Sequence, residues 1–213
     1  MIVSPQHYPV ESPSFEWAVK LRQPVSIIVI GACAALLATT PLSWQGASLV
    51  GLALDSLGFV LVVVAAFGRI WSSLYISGYK EDRIVTEGPY AIVRNPLYVF
   101  SFLGALGLGL ATRHIAVLAV VAAAFILYYP LVVLTEERNL QGKFGQAYGD
   151  YASRTPRFFP HRFQLVEPDV YPVRPRHARR SLQQIILFFW AYLILHLAAV
   201  FQQGGGSAHL PIF

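Results

Sequence analysis

The chain has 213 residues, of which 55% are hydrophobic and only 13% are charged. Soluble domains carry about 25% charged residues, so this composition indicates a protein that lies mostly in a membrane. The aromatic content of 14% excludes a disordered chain. The length fits one compact domain.

Cysteine and histidine usage gives no indication of a metal site. Cys33 is the only cysteine, so neither a disulfide within the chain nor a zinc site built from several thiolates is possible. It lies in an apolar run, and we expect it to behave as a small hydrophobic residue. The six histidines are scattered, with no pair at the spacing of one helix face. We therefore expect no bound metal.

Five apolar runs follow one another along the chain, and a membrane-crossing helix needs about 20 mostly apolar residues. They cover residues 25–40, 47–70, 97–112, 115–134 and 182–201. This pattern predicts an all-α, polytopic integral membrane protein with about five transmembrane helices. The predicted divisions are an N-terminal cytoplasmic segment (1–24), a membrane core (25–160), a basic cytoplasmic linker (161–181), and a fifth helix with its tail (182–213).

The basic residues predict the orientation of these helices. With the N-terminus in the cytoplasm, 15 of the 16 Lys and Arg residues face inward and only Arg113 faces outward. The positive-inside rule asks for this asymmetry. The excess positive charge therefore indicates membrane topology rather than binding to nucleic acid. In a bacterium the membrane would be the inner one, and the bilayer itself is a partner of the chain.

Small and charged residues inside the runs need a separate explanation. Gly104, Gly107 and Gly109 would let a neighbouring helix approach closely. Asp55 is an acid within the second run, which makes a functional role a natural hypothesis. It lies about two turns from the outer end of its helix, so we expect it to reach water there. A proton relay or a role in substrate binding is the alternative.

The polar segment 78–96, between the second and third runs, predicts turns rather than one helix. Gly88 and Pro89 form a turn signal, because glycine allows unusual backbone angles and proline fixes φ. Asn95 followed by Pro96 is a typical start of a helix. The backbone N–H groups at that start could bind an anion at the cytoplasmic interface.

Two adjacent acids, Glu136 and Glu137, directly follow the fourth apolar run. Carboxylates at this depth need partners, and Arg138, Arg154 or Arg157 could supply them. Consecutive helical residues diverge by about 100°, so the two acids cannot share one role. One would face a ligand and the other an arginine or solvent. Alternatively, both acids only solvate the helix end.

Two basic segments follow the acids. Residues 154–160 (RTPRFFP) could lie along the lipid headgroups, with Phe158 and Phe159 in the interface and the arginines on lipid phosphates. Residues 174–180 (RPRHARR) are typical of a topology anchor before the fifth helix.

Taken together, these segments resemble the isoprenylcysteine carboxyl methyltransferase family and its phospholipid methyltransferase relatives. The resemblance covers residues 69–160. It is carried by IVTEGPY (84–90), RNPLY (94–98), EERNL (136–140), FG (144–145), Tyr148, Tyr151 and the 154–160 segment. Each element is weak, but the ordered set is specific.

The resemblance implies an enzyme that uses S-adenosylmethionine in a pocket at the cytoplasmic face, formed by loop and C-terminal segments. Glu136 would bind the ammonium group of the cofactor, and tyrosine rings would contact its adenine or sulfonium. Methyl transfer by in-line displacement needs alignment and exclusion of water, without a metal or a nucleophilic side chain. The implied cofactor positions are Asp82, Arg83, Ile84, Val85, Tyr90, Asn95, Pro96, Leu97, Tyr98 and Glu136.

Two departures from the family pattern concern the methyl acceptor. The family usually has histidine where this chain has Asn95, which keeps hydrogen bonding but cannot carry charge. An arginine linked to substrate in the eukaryotic enzymes falls here on Val132. The acceptor therefore stays open between a prenylcysteine-like carboxylate, a thiol and an amine lipid, and catalytic residues are not assigned.

Two other functions explain part of the pattern. Sterol-type membrane reductases share a related C-terminal arrangement but bind NADPH, and they usually have more spans. A non-enzymatic membrane scaffold would explain the apolar runs and the arginines but not Tyr90, Tyr98 and the glutamates.

Overall fold

The computed structural model describes residues 20–77, 79, 82–161, 163–173 and 175–204. Every regular element within these residues is helical. Eight helices follow one another: α1 (Arg22–Thr39), α2 (Leu49–Ile76), α3 (Pro89–Ile92), α4 (Pro96–Ala111), α5 (Ile115–Ala123), α6 (Tyr129–Phe144), α7 (Gln146–Arg154) and α8 (Pro175–Gly204). A π-helical turn, Ala124–Tyr128, connects α5 to α6 without a break.

Within the described residues, three helices are long and apolar enough to cross a membrane, judged by length and composition. They are Leu49–Ile76, the continuous Ile115–Phe144, and Ile186–Gly204. The apolar helices Gln23–Thr39 and Pro96–Ala111 are shorter. The all-helical membrane fold predicted from the sequence is therefore confirmed, with three to five helices able to span.

Several helix bounds differ from those of the predicted spans. The second helix continues six residues past the predicted end, to Ile76, and α6 continues to Phe144. The final helix begins at Pro175, so the end of the predicted linker 161–181 is helical. These extensions carry polar residues out of the apolar layer, which a hydropathy pattern does not detect. The predicted segment 1–24 and the tail lie largely outside the described residues.

Local chemistry explains where the helices begin and turn. The hydroxyl of Ser48 accepts a hydrogen bond from the Gly51 N–H at 3.0 Å and caps α2. Pro96 is the first residue of α4, as predicted. Pro130 lacks an N–H, so it cannot donate to the carbonyl one turn earlier, and the preceding turn adopts π geometry.

The closest packing in the bundle joins α2 and α4. A Cβ atom built on Gly107 would lie 2.6 Å from the Gly58 carbonyl oxygen, and one built on Gly104 would lie 3.0 Å from the Ala65 Cβ. Val62, on the same face of α2, is fully buried. The predicted close approach at these glycines is therefore confirmed. Gly109 likewise allows α5 to pack closely, because a Cβ atom built on it would lie 3.1 Å from a side-chain carbon of Leu118.

The turn between α4 and α5 folds back on the start of α2 through an ion pair. Arg113 Nη2 lies 2.6 Å from Asp55 Oδ2, and both side chains are buried. Arg113 adopts a φ of 58°, which reverses the chain after α4. The expectation that Asp55 reaches water is wrong, because an arginine 58 residues away in sequence neutralises it. Sequence spacing gives no indication of this contact.

Polar side chains of four segments meet around that ion pair. Arg113 also donates to Gln203 Oε1 of α8 at 2.5 Å, and the ring of buried His114 lies 3.0 Å from the Thr40 hydroxyl at the end of α1. We call Thr40, Asp55, Arg113, His114, Gln202 and Gln203 the far-end cluster. It ties together the end of α1, the start of α2, the α4–α5 turn and the end of α8.

Candidate functional site

A cavity of about 750 Å³ opens at the other end of the bundle, where α2 ends and α4 begins. Its volume lies within the range of about 300–1,000 Å³ that is usual for small-molecule sites. The helices α2, α4, α6 and α7 and the 83–95 segment supply its walls. The lining residues are Arg69, Ile76, Arg83, Ile84, Val85, Tyr90, Arg94, Asn95, Leu97, Tyr98, Ser101, Tyr129, Glu136, Asn139, Leu140, Lys143, Tyr148 and Tyr151.

Eight of the ten predicted cofactor positions line this cavity, and two do not. The eight are Arg83, Ile84, Val85, Tyr90, Asn95, Leu97, Tyr98 and Glu136. Pro96 is fully buried in the first turn of α4, where it sets the helix start instead of forming a wall. Asp82 belongs to the turn that follows α2, with its N–H donating to the Tyr79 carbonyl at 3.0 Å.

The adjacent acids of α6 have different surroundings. Glu136 faces the cavity. Glu137 is buried, and its Oε2 accepts from Arg157 Nη2 at 2.8 Å, while Arg94 Nε lies 3.3 Å from its Oε1. The expectation that one acid pairs with an arginine is confirmed for Glu137. The divergence of consecutive helical residues explains the split.

Asn95 connects the cavity wall to this buried ion cluster. Its side-chain amide donates to Glu137 Oε1 at 2.8 Å, and the structure shows no side-chain cap from Asn95 to α4. Arg157 pairs with Glu137, one of the partners expected from the sequence, and a contact of Arg157 with lipid phosphates stays a prediction. Phe159, two residues later, is 82% exposed and remains available to the membrane interface. Through Arg157, the 154–160 segment therefore stabilises the ion cluster that holds Asn95 at the cavity wall.

Three tyrosines form one wall of the cavity: Tyr90, and Tyr148 and Tyr151 of α7. The Tyr151 hydroxyl donates to the Tyr90 carbonyl at 2.8 Å. The Tyr90 hydroxyl is buried and has no hydrogen-bond partner within the described residues. Burial raises the pKa of Tyr90 and Tyr151 well above the ordinary range of a phenol, and it raises the pKa of Tyr148 to about 12. These phenols therefore stay protonated near neutral pH, and the Tyr90 hydroxyl, unlike that of Tyr151, can donate a hydrogen bond to a ligand.

The charge distribution in the cavity suits a ligand that carries both signs. Arg69, Arg83 and Lys143 contribute positive charge, and Glu136 contributes negative charge. Arg69 extends from α2 and donates to the hydroxyl of Ser101 on α4. A cavity lined by groups of both signs favours a ligand that carries complementary charges.

Several lining residues were not among the predicted site positions. Tyr148 and Tyr151 carried the family resemblance, but nothing in the sequence indicated which way they point. Arg69 ends an apolar run and was interpreted as a topology residue, and Ser101 and Tyr129 lie within apolar runs. An arginine one residue inside a span was the signal that could have identified Arg69.

The aromatic residues near Tyr98 form one continuous group. The Tyr98 and Tyr129 ring centroids lie 5.8 Å apart, and Tyr129 stacks on Phe125 at 4.2 Å. Phe125 belongs to the π-helical turn, which sets the position of both rings. Within the described residues, no group of three or more His, Cys, Asp or Glu side chains is arranged to hold a metal ion.

Comparison with known proteins defines the class to which this helical membrane protein belongs. A family model described as phospholipid methyltransferase matches residues 46–147, which include every helix from α2 to α6 and the 83–95 segment. The protein-S-isoprenylcysteine O-methyltransferase of Schizosaccharomyces pombe is 30% identical over 94 residues, 44% of this chain and 40% of that protein. No solved structure matches the chain.

Two bacterial relatives match a larger part of the chain. The cobalt-zinc-cadmium resistance protein CzcN of Cupriavidus metallidurans is 39% identical over 162 residues, 76% of this chain and 74% of that protein. The nickel-cobalt-cadmium resistance protein NccN of Alcaligenes xylosoxydans xylosoxydans is 39% identical over 144 residues, 68% of this chain and 67% of that protein. The chain belongs to the family of these two resistance proteins, and its residues 46–147 match the phospholipid methyltransferase model.

Proposed function

We propose that this protein is an S-adenosylmethionine-dependent methyltransferase that acts on a lipophilic or lipid-borne acceptor at the cytoplasmic face of the membrane. In a bacterium the membrane is the inner one. The observation that carries the proposal is that eight of the ten predicted cofactor positions line one cavity of about 750 Å³. The family model supports methyl transfer as the type of reaction.

The cavity residues fit the chemistry of the proposed cofactor. Glu136 supplies a carboxylate for the ammonium group, by a charge-assisted hydrogen bond. The rings of Tyr90 and Tyr98 offer faces for adenine or for a sulfonium cation. The buried Tyr90 hydroxyl still needs a hydrogen-bond acceptor, which a polar ligand would supply.

When bound, the cofactor would supply an electrophilic methyl group on sulfonium, which an acceptor lone pair displaces in line. The residues of the chain would then orient the two partners and keep water out. Neutral tyrosines suit this role because they bind without competing as nucleophiles. Tyr129, Tyr98 and Phe125 provide an apolar surface on which a lipophilic acceptor can lie.

The first experiment measures ligand binding to the detergent-solubilised full chain. Calorimetric titration with S-adenosylhomocysteine, and separately with NADPH, distinguishes the candidate functions. We expect binding of the first ligand alone. Binding of NADPH alone would favour a sterol-reductase-like activity, and binding of neither would favour a membrane scaffold.

The second experiment identifies the acceptor. Native membranes that contain the protein are incubated with methyl-labelled S-adenosylmethionine, and the labelled product is extracted and characterised. Membranes that contain a Glu136→Gln variant are the control. At a cofactor concentration below saturation, we expect much less label in a lipid or lipidated product with the variant than with the wild type. The resistance named for two bacterial relatives is a cellular role, which methylation of a membrane-borne molecule can serve.

A further inference from the structure

Arg83 lies at the rim of the cavity between two aromatic rings. Its guanidinium carbon is 5.0 Å from the ring centroid of Tyr79 and 5.2 Å from that of Tyr171. Each contact has the geometry of a cation–π interaction. Two rings around one guanidinium restrict its plane, so Arg83 is held in place although 40% of its side chain is exposed.

One edge of this guanidinium has unsatisfied hydrogen-bond donors. Nε and Nη2 of Arg83 are buried and have no hydrogen-bond partner within the described residues. Nη1, on the other side, lies 3.7 Å from Glu87 Oε1. Nε and Nη2 form the edge that holds the two oxygens of a carboxylate in a bidentate pair. Buried donors of this kind cost free energy until an acceptor reaches them.

Tyr171 belongs to a segment that the family model does not include. We call residues 163–173 the strap; the model match ends at residue 147. The Val166 carbonyl accepts from the Gly88 N–H at 2.8 Å, and the Pro172 carbonyl accepts from the Tyr79 hydroxyl at 3.0 Å. The strap thus lies across the end of α2 and the Gly88 turn.

The strongest attachment of the strap is Tyr171 itself. Its hydroxyl donates to the Tyr75 carbonyl at 2.5 Å, and the Tyr75 and Tyr171 ring centroids are 4.5 Å apart. This anchoring fixes the ring that covers Arg83. Ile84 and Val85, the next residues along the chain, line the same cavity.

We propose that Arg83 binds the carboxylate of the cofactor's amino acid end, and that the strap positions Arg83 for this contact through Tyr171. The inference rests on the proposed function. A water-soluble cofactor enters from the cytoplasm, so its charged end belongs at the hydrated rim. A lipophilic acceptor enters from the lipid side. Glu136 and Arg83 together would then hold the two opposite charges of the amino acid end.

The test compares two ligands that differ only in the carboxylate. S-adenosylhomocysteine and its decarboxylated analogue are titrated calorimetrically into the solubilised full chain. Replacing a charge-assisted pair typically costs tenfold or more in affinity, so Arg83→Gln should weaken S-adenosylhomocysteine by about tenfold or more. The same variant should change the decarboxylated analogue by less than about twofold. Arg154→Gln, outside the cavity, is the matched control and should bind both like the wild type.

Tyr171 is tested as a positioning residue by a double-mutant cycle. Tyr171→Leu should weaken S-adenosylhomocysteine but not the analogue, and it should add nothing in the Arg83→Gln background. Tyr171→Phe keeps the ring but loses the hydrogen bond to the Tyr75 carbonyl, so it should weaken S-adenosylhomocysteine less than Tyr171→Leu does. Thermal unfolding of each variant shows whether it is folded at the titration temperature.

The outcomes separate this inference from the proposed function. Equal losses for both ligands in Arg83→Gln, or no loss, would overturn the assignment of Arg83. Additive losses in the double variant would overturn the positioning role of Tyr171. A wild type that binds neither ligand would overturn the proposed function, and this inference with it.

Discussion

At the scale of single residues, two adjacent acids on α6 have opposite surroundings. Glu136 faces a cavity that also contains tyrosines and cations, whereas Glu137 is buried against Arg94, Arg157 and Asn95. A cavity-lining acid and the acid of a structural ion cluster are therefore adjacent in sequence. Substitution of either acid by glutamine preserves its shape and removes its charge, which makes the pair an internal comparison.

Glu136→Gln should lower the affinity for S-adenosylhomocysteine with little effect on stability. An ammonium facing a neutral amide in a poorly hydrated cavity loses its charge partner. Removing one partner of such a pair typically costs about 2–5 kcal/mol, which corresponds to a loss of roughly 30-fold or more. Calorimetric titration of the solubilised variant measures it.

Glu137→Gln is the matched control, with the opposite expectation. It leaves two arginines without their buried carboxylate, so the unfolding temperature should fall far more than in Glu136→Gln. Its ligand affinity, measured below that temperature, should change less. Equal and unperturbed affinities in the two variants would remove Glu136 from the site. A larger affinity loss for Glu137→Gln would exchange the assigned roles.

A second residue-scale prediction compares Asn95 with Tyr90. Asn95→His keeps an N–H donor for Glu137, so affinity for S-adenosylhomocysteine should stay within about tenfold, roughly 1.4 kcal/mol. Tyr90→Ala removes a buried ring from the cavity and should weaken binding more. Titration of both variants at a temperature where both are folded is the measurement. Loss of binding in Asn95→His with normal binding in Tyr90→Ala would refute this placement of the cofactor.

The sequence predicted which residues surround the cavity better than it predicted their contacts. The motif order identified Tyr90, Asn95 and Glu136 because segments that recur together in a family usually share a site. The partners of Asp55 and Asn95 were not predictable, since each depends on a contact between residues far apart in sequence. A hydropathy pattern predicts which residues lie in the apolar layer, but it does not predict polar contacts at the edges of that layer.

At the scale of helices, the contact between α2 and α4 fixes the relative position of two helices that line the cavity. Arg69 and Ser101 face each other across this contact near the cavity, and Gly58 and Gly107 meet deeper in the bundle. The glycines allow the backbones to approach until a single added methyl group has no space. The position of α4, and of the cavity residues at its start, therefore depends on Gly107.

Gly107→Ala should destabilise the protein. The added Cβ would lie 2.6 Å from the Gly58 carbonyl oxygen and 3.0 Å from the Val62 nitrogen, which are backbone atoms that cannot rotate away. Overpacking of this kind costs about 1–3 kcal/mol. Gly31→Ala on α1 is the matched control, because nothing lies within 4 Å of the added Cβ. Thermal unfolding in one detergent should show a lower midpoint for Gly107→Ala and not for Gly31→Ala, whereas equal midpoints would contradict the close contact.

At the scale of the whole molecule, polar groups are divided between the two ends of the bundle. The cavity lies where α2 ends and α4 begins, and the far-end cluster joins the end of α1, the start of α2 and the end of α8. If the chain crosses the membrane five times, successive helix ends alternate between the two sides, and this arrangement agrees with that alternation. It also explains the single basic residue on the predicted outer side, since Asp55 neutralises Arg113. Because its charge is neutralised, Arg113 is compatible with a position on the outer side of the membrane.

The last prediction is that the cavity end faces the cytoplasm and the far-end cluster faces outward. Cys33→Ser removes the only cysteine, which allows single cysteines to be placed at exposed positions of each end. Ala47→Cys precedes α2 near the far-end cluster, and Ser153→Cys lies at the end of α7 on the cavity side. In intact cells a membrane-impermeant thiol reagent should label Ala47→Cys and not Ser153→Cys, while both should react after lysis. A reporter enzyme that is active only outside the cytoplasm, fused after Phe213, should be active. Labelling of Ser153→Cys alone would invert the orientation inferred from the basic residues, and a cytoplasmic reporter would show that one of the five apolar helices does not cross the membrane.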